Sequence, residues 1–255
     1  MTRKGSHVLG AFIDAASWDD TLRQITTWGA ERVSRYICVC NVHSVVTAGI
    51  DHELRAALNL ADMATPDGAP VAWALRRFGF PFQERISGPD LMWRYLAEAE
   101  RLEQTVFFYG STLATLVKLR ESAIRHFPRL RIAGSHAPPY HKLTVSEDAE
   151  ELAIINSTGL NVLFVGLGCP KQEKWMALHR GGVNALMIGV GAAFDYHAGT
   201  IKRAPLWMQR AGLEWLHRLC TEPRRLYRRY FITNTLFIVA IARQLITSKR
   251  KWRRL

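Results

Sequence analysis

Asn161-Val-Leu-Phe-Val-Gly-Leu-Gly-Cys-Pro-Lys-Gln-Glu-Lys-Trp175 decides the fold. Residues 161–165 form a short apolar run, as expected of a strand buried on both faces. Gly166 and Gly168 supply backbone freedom for a tight turn. Pro170 suits the first turn of a helix, where a missing N–H costs little. A strand that runs through glycines into a helix is half of a parallel α/β unit. The same step recurs at residues 185–190, which lead into Gly189-Val-Gly-Ala-Ala-Phe-Asp195. Working outward, residues 36–40, 105–109 and 130–133 read as further strands, and 60–65 as a strand end. Helical patterns over 17–33, 44–60, 69–78, 89–103, 111–127, 146–156 and 170–179 fill the intervals, with Ser44 and Ser111 as expected caps and Ser146-Glu-Asp148 as an acidic first turn. The alternation predicts a Rossmann-like, three-layer α/β fold: a parallel sheet with helices on both faces. Ligands of such sheets sit at the carboxyl ends of the strands.

From about residue 204 the pattern contains helices only, over 205–220 and 223–246. This divides the chain into an α/β domain, 1–203, and a basic helical C-terminal appendage, 204–255. The charge divides at the same place. The chain carries a net +12, and residues 201–255 hold 14 Lys and Arg against two Asp and Glu. Residues 1–200 are balanced, so the tail alone calls for an anionic partner. The second tail helix opens Arg224-Arg-Leu-Tyr-Arg-Arg-Tyr230, turns apolar, and closes on Lys249-Arg-Lys-Trp-Arg-Arg254. Asn234 and Arg243 interrupt its apolar stretch, so no segment is expected to reach the length of a membrane span. A helix in the membrane interface, or one docked on the body, fits that pattern. The four cysteines have neither zinc nor disulfide spacing and are expected to be reduced, buried thiols of a cytosolic protein. The basic start, with an apolar run that ends at Asp14, makes a poor signal peptide.

The glycine turns suit an anion held by helix N–H groups. They lack the third glycine of a dinucleotide fingerprint and the Gly-Lys-Ser/Thr of a P-loop. Gln172 and Glu173 fall in the first turn that follows and can face the same crevice. Thr65-Pro-Asp-Gly is by composition a turn, but it follows a strand end. An Asp67 there looks into the crevice and can accept a proton from an attacking hydroxyl. His43, in Asn41-Val-His-Ser, is a second choice of base. Arg85, before Ser87-Gly-Pro-Asp90, is suited either to an Asp90 ion pair or to phosphate. Asp195 is placed to bond a sugar hydroxyl or to cap the next segment. No Asp-x-Asp pair stands at a strand end to hold a metal. The charge of a leaving diphosphate would therefore fall to helix N-termini and to arginines, with Arg203, Arg218, Arg224, Arg225, Arg228 and Arg229 as candidates.

Taken in order, several segments resemble the WecG/TagA/CpsF family of bacterial glycosyltransferases. They are Asn41-Val-His-Ser, Pro66-Asp-Gly, Arg85-Ile-Ser-Gly-Pro-Asp-Leu91, Gly166-Leu-Gly-Cys-Pro-Lys-Gln-Glu173, Gly189-Val-Gly-Ala-Ala-Phe-Asp195, Ala198-Gly-Thr-Ile-Lys-Arg-Ala-Pro205, Gly212-Leu-Glu-Trp-Leu-His-Arg218 and Glu222-Pro-Arg-Arg-Leu-Tyr-Arg-Arg-Tyr230. The resemblance implies an inverting, metal-independent transferase that needs no cofactor. It would move a sugar from a UDP-sugar to an undecaprenyl-diphosphate-linked saccharide. It would work from the cytoplasm as a peripheral protein at the inner face of the membrane, with the appendage on anionic lipid. The implied catalytic residues are Asp67, as base, and Arg85. For substrate binding the resemblance implies Gln172, Arg224, Arg225 and Arg228, and the residue reading adds Asn41, Gly68, Gly168, Asp195 and Arg203 to the expected set. Cys40 stands where the family often has Thr, so no role is carried to it. The residues leave two other classes open. A nucleotide-dependent oxidoreductase or epimerase would use the same glycine turns. A nucleic-acid-binding protein would use the basic tail, although no nucleic-acid-binding motif accompanies it. Donor sugar, acceptor saccharide and oligomeric state, a homo-oligomer included, stay open at this point.

Overall fold

In the computed structural model, residues 3–141 and 143–252 are described, with the side chains of 248–252 outside the description. The chain begins with a hairpin, β1 (Gly5–Val8) and β2 (Ala11–Asp14), and continues through α1 (Trp18–Glu31) into β3 (Arg35–Cys40). It then runs α2 (Val42–Ala48), α3 (His52–Leu60), β4 (Met63–Pro66), α4 (Ala69–Arg77), α5 (Gly88–Arg101), β5 (Thr105–Gly110), α6 (Leu113–His126) and β6 (Arg131–His136). Next come α7 (Val145–Ser157), β7 (Val162–Gly166), α8 (Lys171–Leu178), β8 (Leu186–Gly189) and α9 (Ala193–His197). The C-terminal part is α10 (Leu206–Arg210), α11 (Glu214–Thr221) and α12 (Pro223–Trp252).

Six strands form one parallel sheet in the order β4-β3-β8-β7-β5-β6. The period of two along each strand divides the core between the sheet's faces. Tyr36, Cys38, Cys40, Tyr109, Leu163, Val165 and Met187 pack on one side. Ile37, Val39, Phe108, Val162, Phe164 and Ile188 pack on the other. This is the expected fold. The chain leaves β3 toward β4 at one edge and later returns on the other side of β3. The order therefore reverses beside β3, and the crevice opens at that switch point.

The structure alters several local expectations. The N-terminal hairpin was not expected; Asp14 ties it down by pairing with Arg3 and accepting the Ala64 N–H at 2.6 Å. The helix expected over 44–60 is two helices, because Asp51 caps a new start by accepting the Leu54 N–H at 3.0 Å. Asn41 and Thr112 are the caps rather than Ser44 and Ser111; the acidic first turn expected at Glu147 and Asp148 is present, and Thr144 with Glu147 completes a reciprocal capping box before it. Of the four free cysteines, Cys38 and Cys40 are buried as expected, but Cys169 is half-buried and Cys220 exposed.

The expectation that no segment reaches the length of a span is corrected. The stretch Pro223–Thr247 is long and apolar enough to cross a membrane, by length and composition. Asn234 and Arg243 interrupt the apolar run in sequence, but neither breaks the helix. The helix is nevertheless docked sideways on the body. Leu226, Thr233, Phe237 and Ile241 are buried, and α2 packs against it. Gln244 donates to the His7 carbonyl at 2.6 Å and accepts the Leu9 N–H at 3.0 Å. The Lys249–Arg254 run noted in the sequence lies outside the described side chains.

Candidate active site

The loops after β3, β4, β7 and β8 open into one cleft of about 1030 Å³, and α11 and α12 form its other side. Its floor is built from glycine turns. Gly168 has a φ of +79° and an open space where a Cβ would stand, so backbone lies bare to the cleft. The Gly168 N–H donates to Gln172 Oε1 at 3.2 Å, and Gln172 Nε2 donates to Glu173 at 3.0 Å. Both side chains are buried, and Glu173 Oε2 has no partner among the described residues. Burial raises the Glu173 carboxyl above its ordinary range, against the opposing hydrogen bond from Gln172.

Asp67 stands one residue beyond β4. Its N–H donates to the Cys40 carbonyl at 2.8 Å, extending the ladder, and Gly68 then turns the chain into α4. The Ile86 N–H donates to the Pro66 carbonyl at 2.9 Å, which sets Arg85 beside residue 67. Arg85 Nε lies 3.5 Å from Asp67 Oδ1, and Arg85 Nη2 hydrogen-bonds Glu214. The Asp67 side chain keeps 20% exposure toward the cleft. Desolvation pushes its carboxyl up to about 6; the Arg85 charge opposes the shift and Glu214 reinforces it. A carboxyl near neutrality that faces a ligand cleft can take up a proton at working pH.

The other expected residues fall into two groups. Asn41, Gly68, Gly168, Gln172, Asp195 and Arg225 line the cleft with Asp67 and Arg85. Asn41 spends its amide oxygen on the Ser44 N–H, at 3.2 Å, and so holds the start of α2. Burial raises the Asp195 carboxyl, while a Thr200 hydrogen bond and the Arg225 and Arg218 charges oppose the shift. Arg203 is not among the lining residues; it holds Asp90 at 2.6 Å, the partner weighed for Arg85. Arg224 and Arg228 also lie outside the lining and are exposed on another face of α12. Residues four apart share a helix face. Here that face runs Arg225, Arg229, Thr233, Phe237, Ile241 and Leu245, all in the lining. Arg218 joins it from α11, and both Arg218 Nε and Arg229 Nε are buried without a partner among the described residues. His43 lines the cleft too, with burial first and the Arg229 charge second lowering its pKa.

Glu214 is the residue that sequence reasoning missed. Its signal was the Gly212-Leu-Glu-Trp element. Gly212 has a φ of +72°, and a Cβ there would come within 2.9 Å of the Ala69 Cβ. The α10–α11 turn can therefore seat on the start of α4, which brings Glu214 next to Arg85. The same turn splits the helix expected over 205–220.

The description "Glycosyl transferase WecG/TagA/CpsF family" matches residues 6–251. The chain belongs to the WecG/TagA/CpsF family. It is thus a glycosyltransferase, and the oxidoreductase reading falls away. Among curated WecG/TagA/CpsF relatives is the N-acetylglucosaminyldiphosphoundecaprenol N-acetyl-beta-D-mannosaminyltransferase of Bacillus spizizenii (strain W23). It is 32% identical over 215 residues, covering 84% of this chain and 82% of that protein. The Bacillus subtilis (strain 168) protein of the same name is 30% identical over 196 residues, covering 76% of this chain and 75% of its own length.

Proposed function

We propose that the enzyme transfers an N-acetylhexosaminyl, hexosyl or related uronic acid residue from a UDP-sugar to an undecaprenyl-diphosphate-linked saccharide. The names of the relatives make N-acetylglucosamine the first acceptor sugar to test and N-acetylmannosamine the first donor sugar. An acceptor hydroxyl attacks the anomeric carbon as the bond from that carbon to the UDP oxygen breaks. Asp67 takes the hydroxyl proton, and this single displacement inverts the anomeric centre. UDP leaves with both electrons of the broken bond. Its diphosphate is held by backbone N–H groups near residues 168–171 and by Arg218, Arg225 and Arg229. No metal takes part in this scheme, which the chelator in the assay below tests.

The observation that carries the proposal is the setting of Asp67. Its carboxyl is enclosed, still open to the cleft, and tuned to about 6 beside Arg85. Residues 204–255 act in this reading as a membrane-associating appendage at the inner face of the cell membrane. Exposed Trp207, Tyr227, Phe231 and Ile238 supply its apolar surface, and Arg224 and Arg228 its charge. The test is UDP release across a panel of UDP-N-acetylmannosamine, its uronic acid, UDP-N-acetylglucosamine and UDP-glucose. The acceptor is a lipid-diphosphate-linked N-acetylglucosamine, and EDTA is present. Acceptor-dependent release from one donor is expected. No acceptor-dependent release from any of the four would refute the proposal.

A further inference from the structure

A chain of ion pairs joins the proposed base to the C-terminal helices. Asp67 lies 3.5 Å from Arg85, and Arg85 hydrogen-bonds Glu214. Glu214 lies 3.6 Å from Arg203 Nε, and Arg203 holds Asp90 at 2.6 Å. Three carboxylates thus share two guanidiniums. Asp67 and Glu214 both line the cleft, and of the three carboxylates Asp67 is the one whose nearest guanidinium stands farthest off, at 3.5 Å. Glu214 is only 13% exposed and takes the better hydrogen bond from Arg85. Were that acceptor absent, the full Arg85 charge would be free to close on Asp67. A close Arg–Asp pair favours the ionised acid and makes it a poor base.

We propose that Glu214 is a positioning residue, which holds the Arg85 guanidinium back from Asp67 and so keeps the Asp67 carboxylate basic enough to accept the acceptor's proton. This deepens the assignment of Asp67 as base and rests on it. The device reaches across the molecule, because Arg85 precedes α5 and Glu214 opens α11. The base is therefore tuned only while the α10–α11 turn is seated on Ala69. The charged and titratable groups facing Asp67 and Glu214 come from several elements: Arg85 from the segment before α5, Asp90 from the first turn of α5, Tyr196 from α9, Arg203 from the segment before α10, and Arg218 from α11. Removing the Glu214 charge leaves Arg85 as the dominant neighbour of Asp67.

The test is the pH–rate profile of UDP release from UDP-N-acetylmannosamine with the lipid-diphosphate-linked acceptor, in the full-length enzyme. Wild type is compared with Glu214→Gln, Glu214→Asp and Asp67→Asn, after thermal melts have established which variants fold. For Glu214→Gln the acid limb should move down by about one pH unit, and kcat should fall roughly tenfold. The donor KM should change less than about threefold, because a tuning effect acts on the proton transfer. Glu214→Asp, which keeps the charge, should lie between the two. Should Glu214→Gln fail to fold, Glu214→Asp decides, since its shorter arm loosens Arg85 in the same direction. Wild-type acid limbs in the folded Glu214 variants would overturn the proposal. The Asp67→Asn control separates the two claims. If it is active with the wild-type acid limb, Asp67 is not the base. If it is inactive beside unshifted Glu214 variants, only the role of Glu214 fails.

Discussion

The phase of α12 makes a quantitative prediction about four arginines that look equivalent in sequence. Arg225 and Arg229 line the cleft, whereas Arg224 and Arg228 project elsewhere and are exposed. The perturbation is neutralisation of each in turn to Gln. A guanidinium about 4 Å from a phosphate charge attracts it by about 4 kcal/mol at an effective dielectric of 20. Desolvation removes a sizeable share, and measured charge-assisted hydrogen bonds contribute about 1.5–3 kcal/mol. For Arg229, whose Nε is already buried without a partner among the described residues, about 2 kcal/mol remains. That corresponds to roughly a 30-fold loss in kcat/KM. Arg225 is 62% exposed and already paired with Glu222 at 2.6 Å, so its loss should be smaller, about threefold to tenfold. Arg224→Gln and Arg228→Gln should stay within about twofold of wild type, because exposed charges contribute little. The assay is UDP release with a short-chain, water-soluble lipid-diphosphate acceptor, which removes any contribution from membrane binding. Equal losses at Arg224 and Arg229 in that assay would refute the assignment of the cleft face of α12.

Three further outcomes follow from the geometry. Gly212→Ala should lower Tm by several degrees and depress kcat. It forces a side chain into a φ of +72° and within 2.9 Å of Ala69; a thermal melt and a rate assay check both. Asp67→Asn should raise Tm at pH 7.5, because the wild-type carboxyl, with a folded pKa of about 6 against an ordinary 3.8, is ionised there at a cost. The sign follows from linkage: the penalty is absent below about pH 4 and grows as pH rises through 6, so the Tm difference should vanish in acid. Phe231→Ser with Ile238→Ser, at side chains 66% and 65% exposed, should leave Tm unchanged and cut sedimentation with phosphatidylglycerol vesicles at least tenfold. Unchanged sedimentation would detach this face from the membrane.

The sheet was legible because its strands are short apolar runs that end in glycine or a polar residue, and because 161–175 shows the strand–turn–helix step in one stretch. Asp67, Gly168, Gln172 and Asp195 were legible for the same reason: each follows a strand, and strand ends converge in a parallel sheet. Three features were not legible. The hairpin strands are four residues each, joined by a Leu9-Gly10 turn whose positive φ values leave little sequence trace. Glu214 and Arg85 are 129 residues apart, and no local pattern pairs them. The rotation of α12 depends on which face meets α2, so a run of arginines reads alike on every side. The pairing of Arg203 with Asp90, rather than Arg85 with Asp90, is a consequence of the same seating of the C-terminal helices.

The central claim is that Asp67 removes the proton from the acceptor hydroxyl. The most direct measurement is single-turnover transfer by Asp67→Asn, with folding verified by its melt and donor binding verified by titration with UDP. The account predicts UDP affinity within about threefold of wild type and transfer reduced at least a thousandfold, near the upper end of what one acid–base group contributes. It also predicts loss of the acid limb near pH 6 in whatever activity remains. A folded Asp67→Asn enzyme that transfers sugar within tenfold of wild type, with the acid limb intact, would contradict it.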